Sequence, residues 1–404
     1  MTATARRPKI FMMDLWATVP YYTAYLSKAL LAEHADLTVG SITYYLDPGC
    51  FSTRGIQVDP GVMDVVGKFQ LPQLPRRVLK LLEAMLNLAA LTVRFMVSPP
   101  DVVHVQYLPM LKWRVPLDLW LLGFCRRRGS KIILTVHDLL PHDTGEKYKR
   151  TFHHLYAMVD GIICHSDHVR SRLATEFSVP EEKISVIPHG PFFYDLPATG
   201  LEQILQSLGV EPGQVLVLWQ GILFPYKGVD LLLQAWQQVE AECSDACLVI
   251  AGTGAPELLQ QMHAQVASLG LTRVKLHLRF ISTEELVALY RAADMVVYPY
   301  RAITTSGALA TGLALGKTIV ASDLPVFREL LTSRENALLV DPLDADALAA
   351  ALIELVQSPA LREQLASRVR QMHFGDASWR SIAQTTVEAY NGVLSPIATV
   401  QAQR

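Results

Sequence analysis

The sequence lacks a surplus of charge of either sign. Its 404 residues contain 36 basic and 38 acidic side chains, which gives a formal net charge of -2. Proteins that bind nucleic acid through its phosphates usually carry a basic surplus. The charge balance therefore argues against a nucleic-acid partner.

Paired cysteines are also missing. The chain has five cysteines, an odd number, and none stands in a Cys-x-x-Cys pair. No His-x-x-x-His spacing supports a zinc site either. We therefore expect reduced thiols in a cytoplasmic compartment, and neither a bound metal nor another cofactor.

Long hydrophobic runs are absent. No stretch reaches the roughly 18 uninterrupted apolar residues of a membrane-spanning helix. The N-terminus, MTATARRPKIFMMDLW, runs into a strand without the pattern of a secretory signal. The composition, with 50% hydrophobic and 18% charged residues, is that of a globular protein rich in apolar surface. A chain of this length predicts two domains.

The stretch from Tyr298 to Pro325 is the most informative part of the sequence. It predicts the end of a buried strand, a polar loop, a small-residue helix over 308–315 and a second strand over 318–321. The helix opens on Thr304, Thr305, Ser306 and Gly307. Hydroxyls cap free N–H groups and glycine permits close approach, so this start favours an anion, above all a phosphate. An ordinary capped core helix explains the segment alone equally well.

Strand and helix patterns alternate along the chain, as in a doubly wound parallel sheet. The alternation is broken after Gly190 by a stretch rich in proline and glycine, which predicts a domain boundary. We therefore expect an α/β protein with two Rossmann-like domains facing each other across a cleft. The predicted parts are a first domain over 1–190, a linker over 191–213, a second domain over 214–375 and a C-terminal helix, 376–404, that returns towards the first domain.

One predicted helix, over 74–97, has an unusual composition. Its polar residues lie on one narrow stripe, and nearly all the others are apolar. Such a helix is either mostly buried or lies in a membrane surface with its basic residues towards the headgroups. Burial is the commoner case, and in the other case Arg76, Arg77 and Lys80 would contact anionic lipid. Another apolar helix ends in Arg126–Arg128, which either complement the helix dipole or contact lipid as well.

Loops that follow strands are where ligands bind in such sheets. Lys227 lies between a glycine-rich turn and a helix start, where a diphosphate would compensate its unfavourable position near the helix dipole. A solvated surface lysine is the alternative. His137-Asp138 and His142-Asp143 follow another strand, and imidazole with carboxylate suits sugar-hydroxyl binding or proton transfer. Three further histidines lie at or just after strand ends, and they are His104, His165 and His189.

These motifs together resemble glycosyltransferase family 4, the retaining nucleotide-sugar transferases of GT-B fold. The resemblance covers most of the chain. It rests on TVHD at 135–138, VIPHG at 186–190, GILFPYKGVDLLLQAW at 221–236, LVIAGTG at 248–254, ELVALYRAADMVVYP at 285–299 and SGALATGLALGKTIVASDLP at 306–325.

The resemblance implies roles for individual residues. Lys227 matches the lysine that binds the donor diphosphate, and the amides of Ser306–Ala308 match the helix start that holds the same phosphates. His137 matches the histidine beside the transferred sugar, and Gly252 and Phe280 match positions lining the nucleoside. The implied donor site comprises Gly221, Tyr226, Lys227, Gly252, Phe280, Arg301, Thr305, Ser306, Gly307 and Ala308.

The sequence departs from the family's pattern at three places. Ile303 and Thr311 stand where the family has glutamates for the donor sugar and the ribose. Ile222 replaces the usual phosphate-binding arginine, and Arg301 is a candidate substitute. Ala17–Pro20 replaces a glycine pair. The Ser-Gly form of the loop resembles a divergent branch among exopolysaccharide and lipid-linked sugar transferases.

The resemblance implies a hexosyltransferase that moves sugar from a UDP- or GDP-sugar to a lipid-linked or polysaccharide-precursor acceptor. His137, Asp138 and Lys227 are the candidates for catalysis. Retention of configuration is implied; if the branch inverts, Asp138 or His142 is the candidate base. The expected location is the inner face of the cell membrane, with Arg76, Arg77, Lys80 and His142 towards lipid or acceptor. A catalytically inactive scaffold and a nucleotide-sugar epimerase are the alternatives.

Overall fold

The structure, a computed structural model, describes residues 6–66, 69, 72–112, 117–141, 145–197, 200–372 and 374–395. Its chain divides into two compact units. The first comprises Met1–Pro188 and resumes at Trp379, and the second comprises His189–Ser378. Each unit contains one six-stranded sheet in which every strand pair is parallel.

The sheet of the first unit has the strand order β2-β1-β3-β4-β5-β6. Its strands are β1 (Lys9–Asp14), β2 (Asp36–Ser41), β3 (Val102–Val105), β4 (Lys131–Thr135), β5 (Gly161–Cys164) and β6 (Ile184–Val186). Its helices are α1 (Pro20–Ala32), α2 (Gln73–Val97), α3 (Leu117–Arg127), α4 (Lys149–Met158), α5 (Asp167–Phe177) and the C-terminal α14 (Asp376–Leu394).

The sheet of the second unit has the order β12-β11-β10-β7-β8-β9. Its strands are β7 (Val215–Leu223), β8 (Ala246–Gly254), β9 (Val274–Leu278), β10 (Met295–Tyr298), β11 (Thr318–Ser322) and β12 (Leu338–Val340). Its helices are α6 (Leu201–Leu208), α7 (Val229–Glu242), α8 (Pro256–Ser268), α9 (Thr283–Ala292), α10 (Gly307–Ala314), α11 (Pro325–Arg328), α12 (Ala345–Gln357) and α13 (Pro359–Arg370).

The strands are apolar because helices cover both faces of each sheet. All four residues of β3 and of β10 are buried. Several helices begin at residues that favour a helix start. Proline is at the first position of α8, and serine side chains cap α9 and α10.

The predicted α/β architecture with two doubly wound parallel sheets is confirmed, and the strand–loop–helix–strand unit after β10 is present. Two details go beyond what apolar runs in the sequence indicate. Strand β7 runs on to Leu223, four residues beyond the apolar run that ends at Trp219, because it stays paired with β8. The short edge strand β12 was not predicted, since three residues give too little periodicity to detect.

Helix α2 is neither mostly buried nor turned with its basic stripe to the solvent. Its polar stripe faces the protein: Glu83 and Asn87 are buried, and Lys80 pairs with Glu83 at 2.9 Å. The Arg76 guanidinium lies 4.9 Å from the centroid of the Tyr45 ring. The apolar side of the helix is the exposed one. Among the described residues, no helix is both long enough and apolar enough to cross a bilayer.

Candidate functional site

Two glycines lie side by side at the carboxyl ends of β7 and β8. Gly221 and Gly252 are register partners in the sheet, and their φ angles are 147° and 152°. A Cβ on Gly252 would lie 1.8 Å from the carbonyl oxygen of Gly221. The backbone conformation and this close contact exclude side chains here, so the sheet presents bare backbone at this edge.

Lys227 folds back over this edge. It ends a single 3₁₀ turn, Pro225–Lys227, that connects β7 to α7. A Cβ built on Gly221 would lie only 2.8 Å from Lys227 Nζ, so the ammonium group rests against the glycine backbone. The same nitrogen lies 5.7 Å from the centroid of the Tyr300 ring. The absence of a side chain on Gly221 therefore leaves the space in which Lys227 Nζ lies.

Arg301 fixes the turn that carries this lysine. Its guanidinium donates to both carboxylate oxygens of Asp230, at 2.8 and 2.7 Å, and to the Pro225 carbonyl oxygen at 2.6 Å. Its backbone N–H donates to the carbonyl oxygen of Tyr226 at 2.7 Å. Burial alone would raise the pKa of Asp230, but the hydrogen bonds and charge of Arg301 hold it below its ordinary value.

The sequence predicted Arg301 as a phosphate ligand and did not identify Asp230. The two residues are 71 positions apart, so no local pattern could connect them. The turn is also held by close packing at Gly228, where a Cβ would lie 1.8 Å from the carbonyl oxygen of Pro299. Lys227 is thus part of one rigid assembly of the β7–α7 turn and the segment after β10.

Helix α10 follows Arg301 closely in the sequence, and a serine hydroxyl caps its first turn. Ser306 Oγ accepts a hydrogen bond from the Leu309 N–H at 3.1 Å. Tyr298 and Tyr290 donate their hydroxyls to the carbonyl oxygen of Ala308, at 2.8 and 3.2 Å. The first turn of α10 is therefore held by its serine cap and by two tyrosine hydroxyls.

A short segment after β6 packs on this helix start. A Cβ on Gly307 would lie 2.7 Å from Phe192 Cε2 and 3.0 Å from His189 Cε1. The Phe192 N–H donates to Thr311 Oγ1 at 3.1 Å, and that hydroxyl donates to the Gly307 carbonyl oxygen at 2.8 Å. Thr311, which stands at the position of the family's ribose-binding glutamate, is thus buried in a structural contact.

The remaining donor-site candidates also lie in the second unit. Tyr226 stacks on Phe224 with ring centroids 5.6 Å apart. Thr305 is half-buried one residue before the cap of α10. Phe280 is half-buried just after β9, and its carbonyl oxygen accepts a hydrogen bond from Arg279.

His137 is the centre of a histidine cluster in the first unit. Its Nε2 lies 3.2 Å from Gln106 Oε1, which makes Nε2 the protonated nitrogen. Its ring lies 4.8 Å from Tyr22, edge to face, and 5.3 Å from His165. Burial lowers the pKa of His165 to about 4. The neighbouring imidazole is therefore neutral at neutral pH.

The network continues from Gln106 into the C-terminal helix. Gln106 Nε2 lies 3.1 Å from His104 Nε2, and His104 Nδ1 lies 2.6 Å from the hydroxyl of Tyr390 on α14. Burial lowers the pKa of His104 to about 3, so it too is neutral. Sequence reasoning found the histidines but missed Gln106 and Tyr390. A polar residue at the end of the buried strand β3 was the available signal for Gln106.

His137 and Asp138 line a small pocket of the first unit. The pocket is mostly apolar, and Phe152 and Pro141 contribute to its wall. His142 and the side chain of Arg77 lie outside the described residues. The described part of the pocket thus presents an imidazole and a carboxylate beside apolar surface.

Comparisons with known proteins agree with this architecture. A family model described as Glycosyltransferase Family 4 matches residues 19–190. A second, described as Glycosyl transferases group 1, matches residues 214–358. The two matches together cover most of both units.

Two curated relatives share part of the chain. An uncharacterized glycosyltransferase of Methanocaldococcus jannaschii is 27% identical over 233 residues, which is 57% of this chain and 59% of the relative. The phosphatidyl-myo-inositol mannosyltransferase of Mycolicibacterium smegmatis is 29% identical over 174 residues, 42% of each chain. The chain thus spans less than two thirds of the length of either relative.

Among solved structures, the Anabaena protein HepE in complex with UDP and glucose superposes with a TM-score of 0.72. The sequence identity is 18%, and the match covers 95% of this chain and 100% of HepE. At this identity the likeness shows the fold, two doubly wound units of GT-B type.

Proposed function

Because the chain belongs to the glycosyltransferases of family 4 and has the GT-B fold, we propose that it transfers a hexose from a UDP- or GDP-sugar to an acceptor hydroxyl. The observation that carries the donor assignment is the position of Lys227. Its ammonium rests against the bare backbone at Gly221, within a turn fixed by Arg301. A cation held rigidly at a glycine edge suits the diphosphate of such a donor.

The start of α10 supports the same assignment. Its first amides carry the positive end of the helix dipole, which suits a phosphate oxygen. Lys227 and this helix start would together stabilise the negative charge that develops on the leaving diphosphate. This preorganised charge is the main catalytic contribution that we propose for the second unit.

The proposed reaction retains the configuration at the anomeric carbon. The bond between that carbon and the diphosphate oxygen breaks, and its electron pair leaves with the diphosphate. The acceptor oxygen forms its bond to the same face of the sugar, and its proton passes to the leaving phosphate oxygen. His137 would bind a hydroxyl of the transferred sugar, and Asp138 would orient the acceptor.

No metal is needed in this scheme, because the ammonium and the helix amides neutralise the diphosphate. We therefore propose that neither a metal nor another cofactor takes part. Dialysis against EDTA would then leave the transfer rate unchanged, and a loss restored by Mg²⁺ or Mn²⁺ would contradict the scheme.

For the acceptor we propose a lipid-linked or polysaccharide-precursor molecule at the cytoplasmic face of the membrane. The name of the mycobacterial relative, a phosphatidyl-myo-inositol mannosyltransferase, supports a lipid acceptor. The apolar wall of the pocket beside His137 and Asp138 is compatible with one. Envelope or exopolysaccharide synthesis is the process in which such acceptors are used.

A transfer assay tests the proposed activity. Purified protein is incubated with radiolabelled UDP- and GDP-sugars, with membrane extract as the acceptor source. We expect one donor to label the lipid or polysaccharide fraction, and Lys227→Ala to lower that labelling at least about a hundredfold. Lys275→Ala, a lysine on the edge strand β9 of the same unit, is the matched control and should keep its activity. Equal labelling by both variants would remove the role of Lys227.

A second candidate function is a donor-binding subunit without transfer activity. Its support is the pair of replaced glutamates: Thr311 is buried in a structural contact, and Ile303 packs against the core of the second unit. Calorimetry with UDP distinguishes both the transferase and the donor-binding subunit from a scaffold that binds no nucleotide. UDP binding without transfer to any acceptor fraction would favour this second function.

A further inference from the structure

Helix α2 exposes a continuous apolar face. Of the eighteen large hydrophobic side chains that are exposed in the described part of the chain, nine lie on this helix. They are Leu74, Val78, Leu79, Leu82, Met85, Leu86, Val93, Met96 and Val97. The helix has 25 residues and is therefore roughly 37 Å long. Exposed apolar patches of this extent mark interaction surfaces.

The orientation of the helix is fixed by its polar residues, which bind the adjacent loop. Glu83 accepts from the backbone N–H groups of Val65 and Val66, the second at 2.9 Å. Asn87 exchanges two hydrogen bonds with the backbone of Met63, at 2.6 and 2.8 Å. These hydrogen bonds of the buried Glu83 and Asn87 side chains hold the apolar face outwards, so its exposure is built into the fold of the first unit.

Neighbouring elements extend the same surface. Met63 and Val65 are exposed on the loop that α2 binds. Helix α3 packs beside α2 and exposes Trp120, which stacks on Phe124 with ring centroids 6.3 Å apart. Tryptophan at the edge of an apolar surface is typical of membrane interfaces.

Three exposed arginines lie beside this face. Arg126, Arg127 and Arg128 are exposed at the C-terminal end of α3, and Arg128 donates to the carbonyl oxygen of Met96 at 2.9 Å. That bond places the arginine cluster at the C-terminal end of the apolar face. The acidic residues of the two helices, Glu83 and Asp118, are both buried.

We propose that the exposed face of α2, with Trp120 and Arg126–Arg128, docks on the surface of an anionic lipid bilayer. The apolar side chains would enter the boundary between headgroups and acyl chains, and the arginines would lie among the anionic headgroups. This inference deepens the membrane contact proposed above, and it moves that contact from Arg76 and Lys80, which are held by the protein, to the apolar side of the helix.

The charges favour lipid over a second copy of the chain. Two copies that paired through this face would offer each arginine cluster no exposed acidic partner on either α2 or α3. A second copy therefore lacks the charge complementarity that favours association. An anionic membrane neutralises the same cluster.

Vesicle sedimentation tests the proposal. The purified full chain is mixed with vesicles of phosphatidylglycerol and phosphatidylcholine, or of phosphatidylcholine alone. We expect binding to the anionic vesicles, and a loss of about tenfold or more in the triple variant Leu82→Gln, Leu86→Gln, Val93→Gln. Leu31→Gln with Leu343→Gln, two exposed leucines on other elements, is the control and should bind like the wild type.

Two further measurements complete the test. Replacing Arg126–Arg128 with glutamine should lower binding to anionic vesicles only, and raised salt should act in the same direction. Light scattering reports the oligomeric state. Unchanged vesicle binding by the triple variant, or a dimer that this variant dissociates together with no vesicle binding, would overturn the proposal.

UDP binding, followed by calorimetry without vesicles, separates this proposal from the proposed function. All variants of the α2 face should bind UDP as the wild type does, which also shows that they are folded. If the variants of the α2 face bind both UDP and vesicles as the wild type does, the docking surface is wrong and the donor assignment stands. Absent UDP binding in the wild type, with normal vesicle binding, sinks the donor assignment alone.

Discussion

The guanidinium of Arg301 forms two hydrogen bonds, of 2.8 and 2.7 Å, with the carboxylate of Asp230 across 71 residues of sequence. A third bond from the same guanidinium reaches the turn that carries Lys227. The pair therefore connects the β7–α7 turn to the loop after β10. We infer that it acts on the proposed donor site by positioning Lys227.

The first prediction concerns this pair. Asp230→Asn keeps the shape of the side chain but removes one acceptor and the charge, so Arg301 and the Lys227 turn should loosen. We expect UDP affinity to fall about fivefold, measured by calorimetry. Glu354→Gln is the matched control, because Glu354 forms a similar two-bond pair with Arg334 on the surface of the same unit. Equal affinities in the two variants would contradict a positioning role for Asp230.

Gly307 supplies a second prediction. A methyl group there would lie 2.7 Å from Phe192 Cε2 and 3.0 Å from His189 Cε1, so Gly307→Ala should displace these two rings while gaining helix propensity. The displacement would disturb the start of α10, whose amides we propose bind the phosphate. We expect UDP affinity to fall about tenfold without a lower melting temperature.

Gly392→Ala is the control for Gly307→Ala, since Gly392 lies in α14 with open space around its Cα. It should raise stability slightly and leave UDP binding unchanged. A Gly307→Ala protein that binds UDP as tightly as this control would show that phosphate does not reach the start of α10.

The third prediction concerns Gln106, whose side-chain oxygen accepts the hydrogen bond of His137. Gln106→Leu would release that imidazole. We expect the turnover number for transfer to fall about tenfold while UDP affinity stays the same. Gln106→Glu retains an acceptor and should recover part of the rate. If both variants lose rate equally, or if UDP affinity falls with the rate, Gln106 has only a structural role.

Asp14 gives a prediction for stability against pH. Its carboxyl group is buried and binds the segment that leads into α1, accepting from Thr18 N, Val19 N and Thr23 Oγ1 at 2.8, 3.1 and 3.1 Å. Burial raises its pKa from 3.8 to about 6, against the effect of these hydrogen bonds. Between pH 4 and 6 the unfolded chain therefore loses a proton that the folded protein keeps, so this group's contribution falls as pH rises.

The shift corresponds to about 3 kcal/mol or less of unfolding free energy across that window. The side chain at position 14 of the Asp14→Asn variant cannot titrate. The unfolding free energy of the wild type, relative to that of the variant, should therefore fall from pH 4 to pH 6. Urea unfolding at several pH values measures it. A difference that is constant with pH would show that the carboxyl titrates normally in the folded protein.

The strands and the unit around α10 could be predicted because parallel strands covered on both faces are apolar runs. Met295–Tyr298 is such a run, and the small residues after Ser306 fit only a tightly packed helix. The phosphate-binding interpretation of that helix start needed the spacing of several motifs as well. One capped helix alone does not distinguish a ligand site from an ordinary core.

The partner of Arg301 and the orientation of α2 could not be predicted. A sequence shows which residues share a face of a helix, but not whether that face meets protein or solvent. The polar stripe of α2 has hydrogen-bond partners on the 63–66 loop, and no local pattern connects Glu83 with Val65. The pairing of Arg301 with Asp230 and the orientation of α2 both depend on hydrogen bonds of this kind.

In the proposed mechanism a nucleotide diphosphate binds the second unit at Lys227. Calorimetric titration of UDP into wild type and Lys227→Ala tests this binding, with Lys275→Ala as control. We expect measurable binding by the wild type and the control, and affinity at least about tenfold lower in Lys227→Ala. Equal affinity in all three proteins, or no binding by the wild type, would contradict the account.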